Sequence, residues 1–173
     1  MIDDTLSRPV ASAAVEATGW RLLLGSFAAS VPVGSVRQAL EVATTAAEAC
    51  GEHANGHLRA DVRADRVELV VQTEAARDVT ALDAELVARI TAAVRELGCS
   101  IAAPNGNSSA RPVQQLEIAI DTLDRARIKP FWAAALALVG GLSADELVDP
   151  AGQLSTVWFQ DMDEPRPQRN RIH

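Results

Sequence analysis

The stretch ANGHLRADVRADRVELVVQTEAARDVTALD, residues 54–83, decides the fold of the first half of the chain. In its middle part apolar and polar residues alternate, and Val67, Leu69 and Val71 fall on one side. A period of two is typical of a strand with one buried face. The preceding segment LRADVR predicts a second strand, so the two strands should form a hairpin.

The end of the same stretch begins a helix. Thr80 and Asp83 have the spacing of a capping box, and Gly98 follows the last residue of the helical pattern. An apolar stripe at helical spacing runs between them and consists of Leu82, Leu86, Ile90 and Val94. We therefore expect a hairpin followed by a capped helix that covers its apolar face.

Segments upstream of the hairpin complete a first domain. PVASAAVEATG predicts a short helix, WRLLLGSFAASVPV one or two strands, and GSVRQALEVATTAAEACGE an amphipathic helix. The predicted order is α-β-β-α-β-β-α. Four mostly antiparallel strands can bury one face beneath these helices, so the expected fold class is α+β, with two layers.

A second domain should follow a linker. AAPNGNSSARP, residues 102–112, concentrates Pro, Gly, Asn and Ser. Beyond it, VQQLEIAIDT predicts a strand, DRARIKPFWAAALALVGG a helix, DELVDP and STVWFQDM two strands, and RNRIH the start of another. We expect domains at 1–101 and 113–173. The second sheet is too small to cover its edges and apolar face, which predicts a partner surface.

Composition narrows the classes of partner and compartment. The net charge of −7, with no dense block of Lys and Arg, argues against nucleic acid or an anionic membrane as the main partner. A small-molecule ligand fits better. The longest apolar run, PFWAAALALVGGL, is too short to span a bilayer, and MIDDTLSRPV lacks the charge pattern of a signal peptide. The sequence therefore predicts a cytoplasmic protein.

The first hundred residues resemble the pterin-4a-carbinolamine dehydratase family. That family has a His-His-Pro motif before a strand pair, a third His after it, and a helix that carries Asp. Aligned without gaps, His57 falls on the second His of the motif, Glu74 on the third His and Asp83 on the Asp, while Gly19 and Trp20 match the family's first strand. The predicted order of elements agrees with the family fold.

The resemblance also has departures that bear on activity. Gly56 replaces the first His, Leu58 the Pro, Ala64 the usual aromatic residue and Glu74 the third His. The family's reaction expels water from a 4a-hydroxytetrahydropterin, which requires an acid for the departing hydroxyl and a base for a ring-nitrogen proton. The resemblance assigns these roles to His57 and Glu74 and implies no cofactor. Asp83 is open to two interpretations, as a site residue and as the N3 member of the capping box.

The second domain resembles the glyoxalase-like branch of the vicinal-oxygen-chelate superfamily. LEIAIDT, FWAAALAL, ELVDPAGQLSTVWFQDMDEP and RNRIH occur in the expected sequence, as part of a βαβββ module. Members pair two such modules around a cavity that often binds a divalent metal. The resemblance implies Glu117 as the first ligand and His173 as the ligand at the start of a second module, and both side chains suit such a metal.

Three functions follow from the sequence and stay open at this point. The first is pterin-4a-carbinolamine dehydration, weakened or lost through the missing histidines. The second is a catalytically silent module that binds a pterin-like ligand or dimerises. The third is a metal-dependent glyoxalase-like activity of the second domain. A homo-oligomer, with a dimer favoured, is expected in each case because the sheet edges need a partner.

Overall fold

A computed structural model describes residues 5–101 and 113–165. The chain divides into two compact units, residues 1–114 and 115–173. The linker predicted at 102–112 lies outside the described residues. Within the described ranges, none of the helices has both the length and the apolar character that crossing a membrane requires.

Unit 1 has the predicted α-β-β-α-β-β-α order and confirms the α+β prediction. Its four strands form one antiparallel sheet in the order β1-β2-β4-β3, so β1 and β3 are the edges. A short 3-10 helix, Gly51–Ala54, lies before β3. The other elements are α1 Arg8–Val15, β1 Arg21–Leu23, β2 Ser26–Pro32, α2 Val36–Cys50, β3 Leu58–Val62, β4 Arg66–Val71 and α3 Ala81–Glu96.

The core of unit 1 lies between the sheet and its helices. Val67, Leu69 and Val71 are fully buried, as their alternation predicts, and they join buried residues of all three helices in one cluster. Trp20 is also fully buried, and its indole Nε1 donates to Thr91 Oγ1 at 3.0 Å. The hydrogen bond satisfies the one polar atom of the indole in an apolar environment.

The described residues of unit 2 form one βαβββ module. Its sheet has the order β5-β8-β7-β6; β5 and β8 are parallel, and the other pairs are antiparallel. A small core forms around Ile120, Leu147, Val157 and Phe159. The elements are β5 Glu117–Thr122, α4 Arg125–Leu136, β6 Val139–Gly140, β7 Glu146–Val148 and β8 Thr156–Asp161.

The predicted helix of unit 2 was too long at its end. It was expected to run to Gly141, but α4 ends at Leu136, and Ala137 takes a left-handed conformation with φ 53°. Val139–Gly140 then pairs with β7 as a two-residue strand. A strand of two residues forms only because it pairs with a neighbouring strand, and residue propensities do not reveal that pairing. The strand expected from RNRIH lies outside the described residues.

Candidate functional site

His57 lies where the chain enters β3. Gly56 precedes it with φ +82°, a left-handed conformation that glycine adopts without strain. The His57 carbonyl accepts from the Gln72 amide, and the Gly56 carbonyl accepts from the Glu74 amide, both at 2.9 Å. These bonds continue the β3–β4 ladder beyond its last strand pair and fix the backbone that carries the imidazole.

Asp83 lies in the first turn of α3 and is fully buried. Its Oδ2 accepts from the Thr80 backbone amide at 2.7 Å, as in the predicted capping box. Its Oδ1 lies 2.8 Å from His57 Nδ1. The capping interpretation of Asp83 is therefore confirmed, and its other carboxylate oxygen contacts the imidazole, while its role as a site residue stays a prediction.

Two threonines that the sequence analysis did not single out for the site hold the same carboxylate. Oδ2 accepts from Thr73 Oγ1 at 2.7 Å and from the Thr73 amide at 3.1 Å. Thr80 Oγ1 lies 2.9 Å from the same oxygen. Thr80 could have been found as the first residue of the capping box. For Thr73 the available signal was weaker: a hydroxyl residue two positions after the end of β4, at the beginning of a short turn that leads to α3.

The hydrogen bonds assign the tautomer of His57. Two backbone amides and two hydroxyls contact Asp83 Oδ2, and all four can donate, so the carboxylate anion is the form they satisfy. With Asp83 ionised, Nδ1 is assigned as the protonated ring nitrogen, which donates to Oδ1. The outer nitrogen, Nε2, has no hydrogen bond to any described residue, and the side chain is 16% exposed. A neutral imidazole held in this way presents an acceptor lone pair at the surface, as a general base requires.

His53 and Glu74 lie near His57, but neither side chain has a described hydrogen bond to its imidazole. The His53 ring stands edge-on to the His57 ring, with centroids 6.2 Å apart. Glu74 is exposed, and its carboxylate has no hydrogen bond or ion pair to a described residue. Its backbone lies against Gly56, one residue from His57. The described contacts therefore make Asp83 the carboxylate partner of His57, and the convergence of Glu74 and His57 on one cleft stays a prediction.

The predicted metal ligands of unit 2 do not form a site within residues 113–165. Glu117 is exposed at the start of β5, in register with Thr156 of β8. No group of three or more His, Cys, Asp or Glu side chains among the described residues could hold a metal ion. His173 lies outside the described residues. The side chains around Glu117 that the structure describes thus do not fit a metal centre by themselves.

Comparison with known proteins finds one family-model match and one likeness to a solved structure. A family model described as a glyoxalase-like domain matches residues 117–173. A solved structure of a transcriptional coactivator/pterin dehydratase from Brucella melitensis is 20% identical, with a TM-score of 0.47; the match covers 52% of this chain and 98% of that chain. No curated protein matches. The chain is thus similar to a glyoxalase-like domain over its second unit and to a pterin dehydratase over about half of its length.

Proposed function

We propose that unit 1 is a pterin-4a-carbinolamine dehydratase-like site in which His57 transfers the proton, and that its turnover is low. One observation carries the proposal. His57 is oriented by a fully buried carboxylate and keeps Nε2 at the surface without a described partner. One ring nitrogen is thus held and the other is available, which is the arrangement that a proton-transferring imidazole needs.

The reaction gives His57 a defined role. In the dehydration the bond between C4a and the hydroxyl oxygen breaks, the hydroxyl leaves as water after gaining a proton, and a ring nitrogen loses its proton. His57 Nε2 is suited to accept that ring proton. The Asp83 anion, whose Oδ1 lies 2.8 Å from His57 Nδ1, then stabilises the imidazolium that forms. The proton on the departing hydroxyl must come from a second group or from water.

We expect weak activity because the group that should protonate the departing hydroxyl is not held in place. Sequence resemblance gives the acid role to Glu74, but no described residue holds its carboxylate toward His57. Gly56 provides no side chain where the family has a histidine. A positioned acid or base contributes about 10²- to 10⁴-fold in rate, so its loss leaves a slow enzyme.

The test is 4a-hydroxytetrahydropterin dehydration by the purified chain, by His57→Ala and by buffer. His53→Ala is the matched control, since it removes a neighbouring imidazole that has no carboxylate partner. We expect a rate above buffer that His57→Ala abolishes and His53→Ala retains. A rate equal to that of buffer would refute the proposed dehydratase activity. If the chain still bound pterin in that case, unit 1 would be a catalytically silent binding module.

The match of residues 117–173 to a glyoxalase-like domain favours a second candidate function, a metal-dependent activity of unit 2. Because unit 2 is one module and the family pairs two, we propose that two chains associate as a cytoplasmic homodimer. Light scattering should give twice the chain mass.

Metal analysis of the chain and of Glu117→Ala should show whether bound metal depends on this carboxylate. A dimer that contains no metal would refute the metal-dependent activity and would still agree with the proposed association.

A further inference from the structure

We propose that Thr73 is a positioning residue, and that its hydroxyl fixes the orientation and tautomer of His57 through Asp83. The inference rests on the proposed function only for its effect on turnover. Its structural part concerns a hydrogen-bond network that exists whether or not the chain dehydrates pterins. Thr73 lies two residues after the end of β4, and the turn that follows it leads to the first residues of α3.

The Thr73 hydroxyl reaches every member of this network. Its Oγ1 is 2.7 Å from Asp83 Oδ2, 3.0 Å from Thr80 Oγ1 and 3.4 Å from His57 Nδ1. The hydroxyl has one proton, and the shortest contact, to the carboxylate, takes it. Its lone pairs then face His57 Nδ1 and Thr80 Oγ1, and the single proton of Thr80 Oγ1 is shared between Thr73 Oγ1 and Asp83 Oδ2. Thr73 thus joins the end of β4, the start of α3 and the imidazole in one cluster.

The donors around Oδ2 explain why the hydroxyl matters. Four donor atoms, two from Thr73 and two from Thr80, lie within 3.1 Å of this oxygen. A carboxylate oxygen offers about two lone pairs, so the donors compete and the shortest contacts set its direction. With Oδ2 fixed, Oδ1 can point only at the imidazole. Without the Thr73 hydroxyl, Oδ2 keeps the Thr80 donors and the Thr73 amide but loses one of its two 2.7 Å contacts. His57 Nδ1 also loses the hydroxyl oxygen 3.4 Å away, so its contact with Oδ1 is held less firmly.

Replacement by valine isolates the hydroxyl. Thr73→Val keeps the side-chain shape and the backbone amide, which donates to both Asp83 Oδ2 and the Asp78 carbonyl at 3.1 Å. Thr73→Ser restores the hydroxyl without the methyl group. Thr91→Val is the matched control, because it removes another buried threonine hydroxyl of the same unit, which bonds to Trp20 and Val87 instead.

The readout is the pair of ring-nitrogen chemical shifts of His57, measured by ¹⁵N NMR at a pH where the imidazole is neutral. We expect the intact chain and Thr73→Ser to show one protonated Nδ1 and one unprotonated Nε2. Thr73→Val should shift both signals toward the values of an imidazole that exchanges between tautomers. Thr91→Val should lower the urea midpoint and leave both shifts unchanged.

Unchanged shifts in Thr73→Val would overturn the inference, as would equal shifts in Thr91→Val. If Thr73→Val does not fold, Thr73→Ala provides the same comparison with less crowding at the carboxylate. In a chain that dehydrates pterins, the rate of Thr73→Val should fall by up to about 100-fold, the effect of misplacing a reacting group by about 1 Å. An inactive chain would defeat the proposed function, while the tautomer shift would still test Thr73.

Discussion

Replacing Asp83 by asparagine changes the chemistry of one buried carboxylate and almost nothing of its shape. The donors from Thr73 and Thr80 surround Oδ2, so the amide oxygen of the new side chain must take that position. The amide nitrogen then faces His57 Nδ1, which has to accept a hydrogen bond. The ring proton moves to Nε2. The expected result is a capped helix and a reversed His57 tautomer.

The cost in stability follows from the contacts at Oδ2. A hydrogen bond to a charged group contributes about 1.5–3 kcal/mol and a neutral one about 0.5–1.5 kcal/mol, so each bond that loses its charge weakens by about 1 kcal/mol. About two bonds count, because one oxygen has about two lone pairs. The negative charge in the first turn of α3 adds about 0.3–1 kcal/mol. We expect Asp83→Asn to lower the free energy of unfolding by about 2–3 kcal/mol.

Urea unfolding followed by tryptophan fluorescence measures this loss. With an m value of about 1–3 kcal/mol/M, the midpoint should fall by about 0.7–3 M. Asp78→Asn is the control, because Asp78 lies in the same turn and its Oδ1 accepts from the Val79 amide at 2.8 Å. The reasoning fails if Asp83→Asn unfolds at the same urea concentration as the intact chain. It fails equally if ¹⁵N NMR still finds the proton on His57 Nδ1.

Three further perturbations test other parts of unit 1. Burial raises the pKa of the Cys50 thiol, so the native state holds this proton more tightly than the unfolded chain; its contribution is complete below the unfolded pKa of about 8.5 and is lost as the pH rises through the folded pKa. Cys50→Ala should therefore flatten the alkaline decline of the urea midpoint, and an unchanged slope would contradict the assignment. Glu74→His restores a family histidine and should raise the dehydration rate, whereas Glu85→His, an exposed substitution in α3, should not. Thr91→Val leaves the indole N–H of Trp20 without its acceptor and should cost about 1–3 kcal/mol in urea unfolding; a smaller loss would mean that the indole finds another partner.

The order of elements in unit 1 could be predicted because each strand and helix has its own periodic signal. The alternation at Val67, Leu69 and Val71 and the capping box of Thr80 and Asp83 are local patterns, and both are present in the structure. The end of α4 carried no such signal. Its apolar run continues through Val139, so the stop at Leu136 depends on pairing with β7, a contact between residues that the sequence does not bring together.

The sequence named candidate site residues but did not predict which of their side chains are in contact. His57 and Asp83 were named from the sequence, but they are 26 positions apart, and spacing cannot show that their side chains meet. Thr73 was missed because its role comes from the turn that brings the end of β4 to the start of α3. Hydrogen bonds between side chains on different elements depend on the folded backbone, so pattern analysis finds candidates and leaves their partners undetermined.

The double use of Asp83 places unequal constraints on the two members of the pair. In a chain that had abandoned all chemistry, the carboxylate would still be needed to begin α3, because Thr80 donates to it in the first turn. The imidazole is not needed to begin the helix, since any donor of suitable length would satisfy Oδ1. Folding therefore constrains the aspartate in its own right, whereas it constrains the histidine only as a donor to Oδ1.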